Sequence, residues 1–163
     1  MQLLVSDANI LIDLEIGGLI PSLFSLDHQY SIPDVIYYEE LVDQHSHLLD
    51  MGLIVKESDE IKVKRVEELV VQYPKPGRND IFALVLAAAE NCPLLTGDQA
   101  LREAAENENV QVHGTIWLIN EMVRTGKISV PVARNAYQEM RKHGRRLPWE
   151  VAEAMLDDLN NPP

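Results

Sequence analysis

A short continuous apolar run, Leu3-Leu4-Val5, lies near the N-terminus. It is followed by polar residues and then by apolar residues at helical spacing. A continuous apolar run of this length predicts a strand that is buried on both faces. The strand leads into Asp7, and Ile10, Leu11 and Leu14 predict the apolar face of a helix behind it. The pattern therefore predicts a buried strand, a carboxylate at its end and a helix.

Short β-prone runs and helical patterns alternate along the rest of the chain. Runs at 29–32, 53–56, 93–96 and 110–113 predict four more strands. Helices are predicted between the strands over 19–26, 34–47, 59–73, 81–90 and 99–107, and after them over 115–125, 131–143 and 148–159. Asn79 is the predicted N-cap of the buried helix at 81–90. This alternation predicts right-handed crossovers and a parallel sheet that helices cover on both faces.

The composition changes this picture little. A chain of 163 residues with 46% hydrophobic residues is long enough for one domain with a substantial core. It contains no apolar run near the roughly 20 residues that cross a bilayer and no signal-type segment, so we expect a soluble cytoplasmic protein without a membrane partner. Cys92 is the only cysteine, which excludes an intramolecular disulfide and a thiolate metal cluster.

The net charge of −12 argues against general electrostatic binding of nucleic acid. The charge is uneven, because residues 1–110 hold 7 Lys and Arg against 20 Asp and Glu, whereas residues 111–163 hold 7 against 6. The C-terminal part contains a basic group, Arg134, Arg141, Lys142, Arg145 and Arg146. Two interpretations stay open for this group, a solvated helix end or a patch that contacts RNA phosphates.

Four acidic residues lie at strand ends or in the helices that follow the predicted strands. Asp7 ends the first strand, Glu40 lies in the helix after the second, Asp80 begins the buried helix, and Asp98 follows the strand at 93–96. Each has an ordinary explanation, as a helix cap, a first-turn acid or a solvated side chain. Together they predict a carboxylate cluster, which a hard divalent cation such as Mg²⁺ or Mn²⁺ would compensate. Such a site can activate water for phosphodiester cleavage.

At these positions the chain resembles PIN-domain proteins, which include the VapC-type toxins of bacterial and archaeal toxin–antitoxin pairs. The resemblance lies in an ordered set of segments: Val5-Ser6-Asp7-Ala8-Asn9-Ile10-Leu11-Ile12-Asp13, Ile32-Pro33 with Glu40-Leu41, Asn79-Asp80 ahead of Ala83-Leu84, Leu94-Leu95-Thr96-Gly97-Asp98, and Val112-His113-Gly114-Thr115. It implies a PIN domain over residues 1–125. Residues 126–163 are then expected to be a helical extension that packs on the same domain.

The resemblance implies a three-layer α/β/α Rossmann-like fold and a Mg²⁺- or Mn²⁺-dependent endoribonuclease, with the toxin of a toxin–antitoxin pair as the finer expectation. Carried over by position, the metal-holding and catalytic acids would be Asp7, Glu40, Asp80 and Asp98, with Asn9 and Thr96 as supporting residues. Ala8, where many members of the family have Thr or Ser, is a small departure that leaves the carboxylates unchanged. The alternative function is a catalytically weak PIN scaffold that binds protein or RNA.

The choice between Glu39 and Glu40 depends on helix geometry. A shift of one residue turns a helical side chain by about 100°, so only one of the two is expected to face the site. We choose Glu40, because it directly precedes Leu41 as the family's acid often precedes an apolar residue.

Arg78, beside Asp80, has two interpretations of equal weight, an RNA-phosphate contact or a cation that balances the acids. A toxin of this kind would have an antitoxin partner that offers a basic side chain to the carboxylates, and many PIN proteins are homodimers. His45 and His47 are expected to be surface histidines that point in different directions, because neighbours two apart on a helix do not face each other.

Overall fold

A five-stranded parallel sheet forms the centre of the computed structural model, which describes residues 2–160. The strands are β1 (Gln2–Ser6), β2 (His28–Pro33), β3 (Ile54–Lys56), β4 (Leu94–Leu95) and β5 (Val112–His113). Their spatial order is β3-β2-β1-β4-β5, so the chain moves outward on one side of β1 and then continues on the other. The carboxyl ends of β1 and β4 therefore flank the topological switch point, where ligands bind in sheets of this kind.

Helices cover both faces of the sheet. They are α1 (Ala8–Ile16), α2 (Ile20–Ser25), α3 (Asp34–Ile36), α4 (Val42–His45), α5 (Leu48–Met51), α6 (Glu60–Gln72), α7 (Arg78–Ala89), α8 (Gln99–Asn107), α9 (Thr115–Arg124), α10 (Val130–Lys142) and α11 (Trp149–Asn160). On one face, α7 packs against β1, β2 and β4 with α6 and α8 beside it, while α1, α2, α9, α10 and α11 pack together. The predicted α/β/α architecture is confirmed. Among residues 2–160, no helix has both the length and the apolar character that a membrane span requires.

The core explains why α7 has an almost continuous apolar sequence. Its residues 81–87 are all buried, because the helix lies between the sheet and its neighbours α6 and α8. Leu4 and Val5 of β1 are fully buried as well, as expected for the central strand of a sheet that is covered on both faces. Each fully buried side chain of this size contributes about 1.5–3 kcal/mol of hydrophobic stabilisation.

The last two helices pack on the same core. Ala133, Ala136, Tyr137 and Met140 of α10 are buried, and α10 contacts α1 and α9. The approach to α1 is close at Gly17, where an added Cβ would lie 2.7 Å from Met140 Cε. The structure describes the predicted extension at 126–163 as far as residue 160. Residues 161–163, like residue 1, lie outside the described part.

Two helix predictions were wrong in detail. Asn79 is not an N-cap, because α7 begins at Arg78 with Gly77 as its cap. The Asp80 carboxylate accepts a hydrogen bond from the Gly77 N–H at 3.1 Å, and the N-cap lies two residues before the predicted one.

The helix predicted over 34–47 is interrupted rather than continuous. A π-helical turn at Tyr37–Leu41 separates α3 from α4, and the helical run ends at His45. The widened turn is closed by a hydrogen bond from the Val42 N–H to the Tyr37 carbonyl, five residues back.

Candidate functional site

Thr96 joins the carboxylate of Asp7, which follows β1, to the backbone of Asp98, which follows β4. Asp7 is the N-cap of α1, where one carboxylate oxygen accepts from the Ile10 N–H at 3.0 Å and the other accepts from the Thr96 hydroxyl at 2.6 Å. Thr96 Oγ1 in turn accepts from the Asp98 N–H at 3.1 Å. Asp98 caps α8 by accepting from the Leu101 N–H at 2.8 Å. Two strand ends thus place Asp7 and Asp98 on either side of one buried hydroxyl group.

Asp7 is the most strongly perturbed acid of the site. Its side chain is only 3% exposed, and burial raises its pKa from the ordinary value of 3.8 to about 7. The hydrogen bonds from Thr96 and Ile10 lower the pKa, whereas the charges of Asp80 and Asp13 raise it. None of the described residues forms an ion pair with Asp7. The carboxylate is therefore held in place by donors, while its charge lacks a cation.

The pKa of Asp80 is affected by the charges of other predicted acids, and its own charge affects the pKa of Asp7. Burial is the largest cause that raises its pKa, the Gly77 N–H lowers it, and the charges of Asp98 and Glu40 raise it further. Because such effects act over short distances, the repulsions link Asp80 to Asp7, Asp98 and Glu40. The charges that raise the pKa of Asp80 are thus those of two other predicted acids, Asp98 and Glu40.

Glu39 and Glu40 both face Asn79. The Asn79 amide nitrogen donates to Glu39 at 2.7 Å and to Glu40 at 3.2 Å, and both glutamates are exposed. The two residues lie on a π-helical turn rather than on a regular α-helix, and their shared contact with Asn79 does not decide which of them faces the acidic site. Between the two, only Glu40 raises the pKa of Asp80.

Asp13 is a buried acid at the site that sequence analysis did not single out. It accepts from Arg145 Nε at 2.6 Å and from the Thr115 hydroxyl at 2.9 Å. Arg145 Nη2 also donates to the Asn9 side-chain oxygen at 3.1 Å and to the Asn9 carbonyl at 3.3 Å. The signal available in the sequence was the i, i+4 spacing of Asn9 and Asp13, which places both on one side of α1.

A crevice of about 380 Å³ opens beside these residues. It is lined by Asp7, Asn9, Asp13 and Asp98 on one side and by residues 144–147, which connect α10 to α11, on the other. Asp80 and Glu40 are not part of this lining. The connection between the two C-terminal helices therefore supplies one wall of the crevice.

The basic residues that sequence analysis named as RNA contacts have different surroundings. Arg78 pairs with Glu67 at 2.5 Å and lies over the Phe82 ring. Arg141 lies over the Trp149 ring, with 5.9 Å between Cζ and the ring centroid. Within residues 2–160, Lys142 and Arg146 are exposed and form no ion pair. Arg145 is instead bound to Asp13 and Asn9.

The chemistry of the four predicted acids suits a hard divalent cation, since carboxylate oxygens are the ligands that Mg²⁺ and Mn²⁺ prefer. The raised pKa values of Asp7 and Asp80 fit the same interpretation, because a cation would relieve the repulsion between the acids. The side chains are not drawn together, however. In the part of the chain from 2 to 160, no group of three or more His, Cys, Asp or Glu residues is arranged to hold a metal ion.

His45 and His47 do not diverge as predicted. His45 Nδ1 and His47 Nε2 both contact the Glu15 carboxylate at the end of α1. The two residues can face the same group because α4 ends at His45 and α5 begins only after His47, so that they do not share one regular helix.

Comparison with known proteins identifies the family. The family model DUF3368, described as a PIN domain, matches residues 3–161 and so includes both C-terminal helices. The chain belongs to the PIN-domain family. Among solved structures, it is similar to a PilT N-terminus domain protein from the hyperthermophilic archaeon Sulfolobus solfataricus P2, with a TM-score of 0.51 and 14% identity over 74% of this chain and 93% of the other. No curated protein matches the sequence.

Family membership indicates the general class of activity that this fold carries. The PIN fold is generally a nuclease fold, and the carboxyl edge of its sheet is the edge at which Asp7 and Asp98 follow β1 and β4. The resemblance to the PIN domain that the sequence suggested is confirmed. The solved structure supports the fold alone, since the identity of the two sequences is low.

Proposed function

We propose that this PIN-domain protein is a Mg²⁺- or Mn²⁺-dependent endoribonuclease whose acidic site consists of Asp7, Glu40, Asp80 and Asp98. The observation that carries the proposal is the buried charge of Asp7. Its carboxylate is 3% exposed, has no cationic partner among residues 2–160, and has Asp80 as its strongest repulsive neighbour. A buried, uncompensated carboxylate is expensive, and a bound divalent cation removes that cost.

The protein's own groups would fix the positions of the acids. The Ile10 N–H and the Thr96 hydroxyl hold the two oxygens of Asp7, and the bond from the Asp98 N–H to Thr96 ties the end of β4 to the same point. Asn79 holds Glu40 through its amide. A divalent ion bound by these residues would supply an activated water and stabilise the negative charge that develops during phosphodiester cleavage.

We assign different roles to the two neighbouring arginines in the wall of the crevice. Arg145 binds Asp13 and Asn9, so we assign it to positioning the Asn9 amide rather than to binding phosphate. Arg146 is exposed and unpaired within the described residues and lines the same crevice, which suits an RNA phosphate. RNA contacts by Arg78, Arg141 and Lys142, an antitoxin that covers the crevice, and a homodimer stay predictions.

The second candidate function is a PIN scaffold that binds protein or RNA with little catalysis. One specific observation favours it, because the carboxylates among residues 2–160 do not converge into a group that could hold a metal ion as they stand. On this alternative the acids would stay dispersed in the presence of Mn²⁺, and binding would not depend on the metal.

Calorimetric titration of Mn²⁺ into metal-free protein tests the proposal. We expect the wild type to bind Mn²⁺ and the Asp7→Asn/Asp98→Asn variant to lose the binding, with circular dichroism showing that both are folded. Asp59→Asn is the matched control, because Asp59 is also a helix N-cap but lies on the surface. RNA cleavage should then require Mn²⁺ or Mg²⁺. Absence of Mn²⁺ binding by the wild type, or equal cleavage in EDTA, would contradict the proposal.

A further inference from the structure

A second groove, of about 660 Å³, lies next to the acidic crevice, between β5, the start of α9 and the start of α11. In a chain with a net charge of −12, the lining that residues 2–160 give this groove contains Arg102, Arg146 and His113 but no Asp or Glu. The lining of the crevice beside it contains three aspartates against two arginines. The two cavities therefore have opposite charge although they share Gly97, Arg146 and Leu147.

The two arginines of the groove also differ from the other arginines of the chain in the contacts that they form. Five of the eight arginines of the chain form ion pairs with carboxylates: Arg65, Arg78, Arg124, Arg134 and Arg145. Arg141 lies over an aromatic ring. Within residues 2–160, Arg102 and Arg146 form neither kind of contact. In a protein with nearly twice as many acids as bases, the two guanidinium groups that stay available both line this groove.

The remaining lining is aromatic and apolar. The rings of His113 and Trp117 are stacked, with centroids 3.9 Å apart and an angle of 12° between their planes, and both residues are partly exposed. Val151 and Met155 of α11 form the facing side and are 51% and 43% exposed. An apolar and aromatic surface beside unpaired guanidinium groups is the chemistry that receives an unpaired nucleobase and its phosphate.

The groove continues directly into the proposed cleavage site. Thr96, whose hydroxyl donates to Asp7, lines the groove, and Arg146 stands at the border between groove and crevice. A strand whose phosphate lies at Asp7 and Asp98 would therefore place its neighbouring nucleotide in the groove. A base paired in a duplex has no free face or edge to present to this wall, which favours a single strand.

We propose that this groove binds a nucleotide of single-stranded RNA that flanks the phosphate to be cleaved, with its phosphate between Arg102 and Arg146 and its base against the wall formed by Trp117, Val151 and Met155. The proposal rests on the proposed function for its choice of RNA. The groove itself depends on the arginines and the apolar wall, not on a bound metal.

Fluorescence polarisation with a labelled single-stranded RNA of about 12 nucleotides, in EDTA so that it is not cleaved, tests the groove. We expect Arg102→Ala and Arg146→Ala each to weaken binding about 5- to 10-fold and to reduce the slope of log K against log salt by about 0.7. Arg124→Ala is the matched control, because it removes the same charge from an arginine that pairs with Glu121. It should change the affinity less than about 2-fold.

Tryptophan fluorescence gives a second readout. The chain has two tryptophans, and Trp149→Phe leaves Trp117 as the only one. RNA should change the emission of the Trp149→Phe protein, and the change should shift to higher RNA concentration in Arg102→Ala and Arg146→Ala. Unchanged emission at saturating RNA would count against the base position.

The outcomes separate the groove from the proposed function. Arginine-dependent RNA binding without cleavage in Mn²⁺ would support the groove while the nuclease proposal fails. Metal-dependent cleavage with equal RNA affinity in Arg102→Ala, Arg146→Ala and Arg124→Ala would overturn the groove and leave the nuclease proposal intact. A wild type that does not bind the RNA at all would also overturn the groove and would favour a protein ligand for it.

Discussion

Replacing Asp7 with asparagine separates the cost of burying its charge from its role as a helix cap. The side-chain oxygen of an asparagine can still accept from the Ile10 N–H, so the cap of α1 is kept. The other oxygen becomes an amide nitrogen that faces the Thr96 hydroxyl, which then loses the acceptor of its own hydrogen. The substitution therefore removes one ionisable group and one good hydrogen bond.

The magnitude follows from the pKa of Asp7. A pKa that rises from 3.8 to about 7 on folding corresponds to about 4 kcal/mol, at about 1.4 kcal/mol for each pKa unit. The folded state holds the proton more tightly than the unfolded state, so stability is full below pH 3.8 and falls as the pH rises through about 7. The lost Thr96 bond costs about 1 kcal/mol. In EDTA at about pH 8, Asp7→Asn should thus be more stable than the wild type by about 2–3 kcal/mol.

Urea unfolding in EDTA between about pH 4 and about pH 8 measures this difference. The advantage of Asp7→Asn should grow with pH and reverse near the acidic end. Asp59→Asn is the control, because Asp59 caps α6 through the Lys62 N–H but is exposed, and that hydrogen bond lowers its pKa. Asp59→Asn should therefore show a pH dependence of the opposite sign. A difference between Asp7→Asn and the wild type that stays constant with pH would refute the reasoning.

Three further predictions concern the same site. Thr96→Val should lower the free energy of unfolding by about 1–2 kcal/mol, because the hydroxyl that binds Asp7 and accepts from Asp98 is fully buried; thermal unfolding measures it. The same variant should raise the pKa of Asp7 further, which carboxyl-carbon NMR titration would detect. Arg145→Met should destabilise the protein by about 2–3 kcal/mol, because it leaves Asp13 buried without its cation, and the double variant Asp13→Asn/Arg145→Met should recover most of the loss. Equal stability of the single and double variants would contradict this coupling.

The sequence determined the order of strands and helices along the chain and the places of two of the acids, Asp7 and Asp98. These features follow from short-range rules, because hydrophobic period, strand ends and helix caps are written within a few neighbouring residues. Asp7 after β1 and Asp98 after β4 were predicted in this way, and both lie at the carboxyl edge of the sheet. The start of α7 was misplaced because Gly77 lacks a capping side chain, while the Asp80 side chain that defines this end lies three residues further on.

Only the tertiary structure decided which groups pair and how strongly the acids are perturbed. Asp13 meets Arg145, 132 positions away, because α10 packs on α1, and Asn79 meets Glu39 and Glu40 because a π-helical turn brings both to one side. The pKa of Asp7 depends on burial, which is a property of the packed core rather than of the local sequence. Likewise, a net charge of −12 argued against nucleic-acid binding, yet within residues 2–160 packing left two arginines without an ion pair along one groove, since pairing is set by the three-dimensional distances between charges.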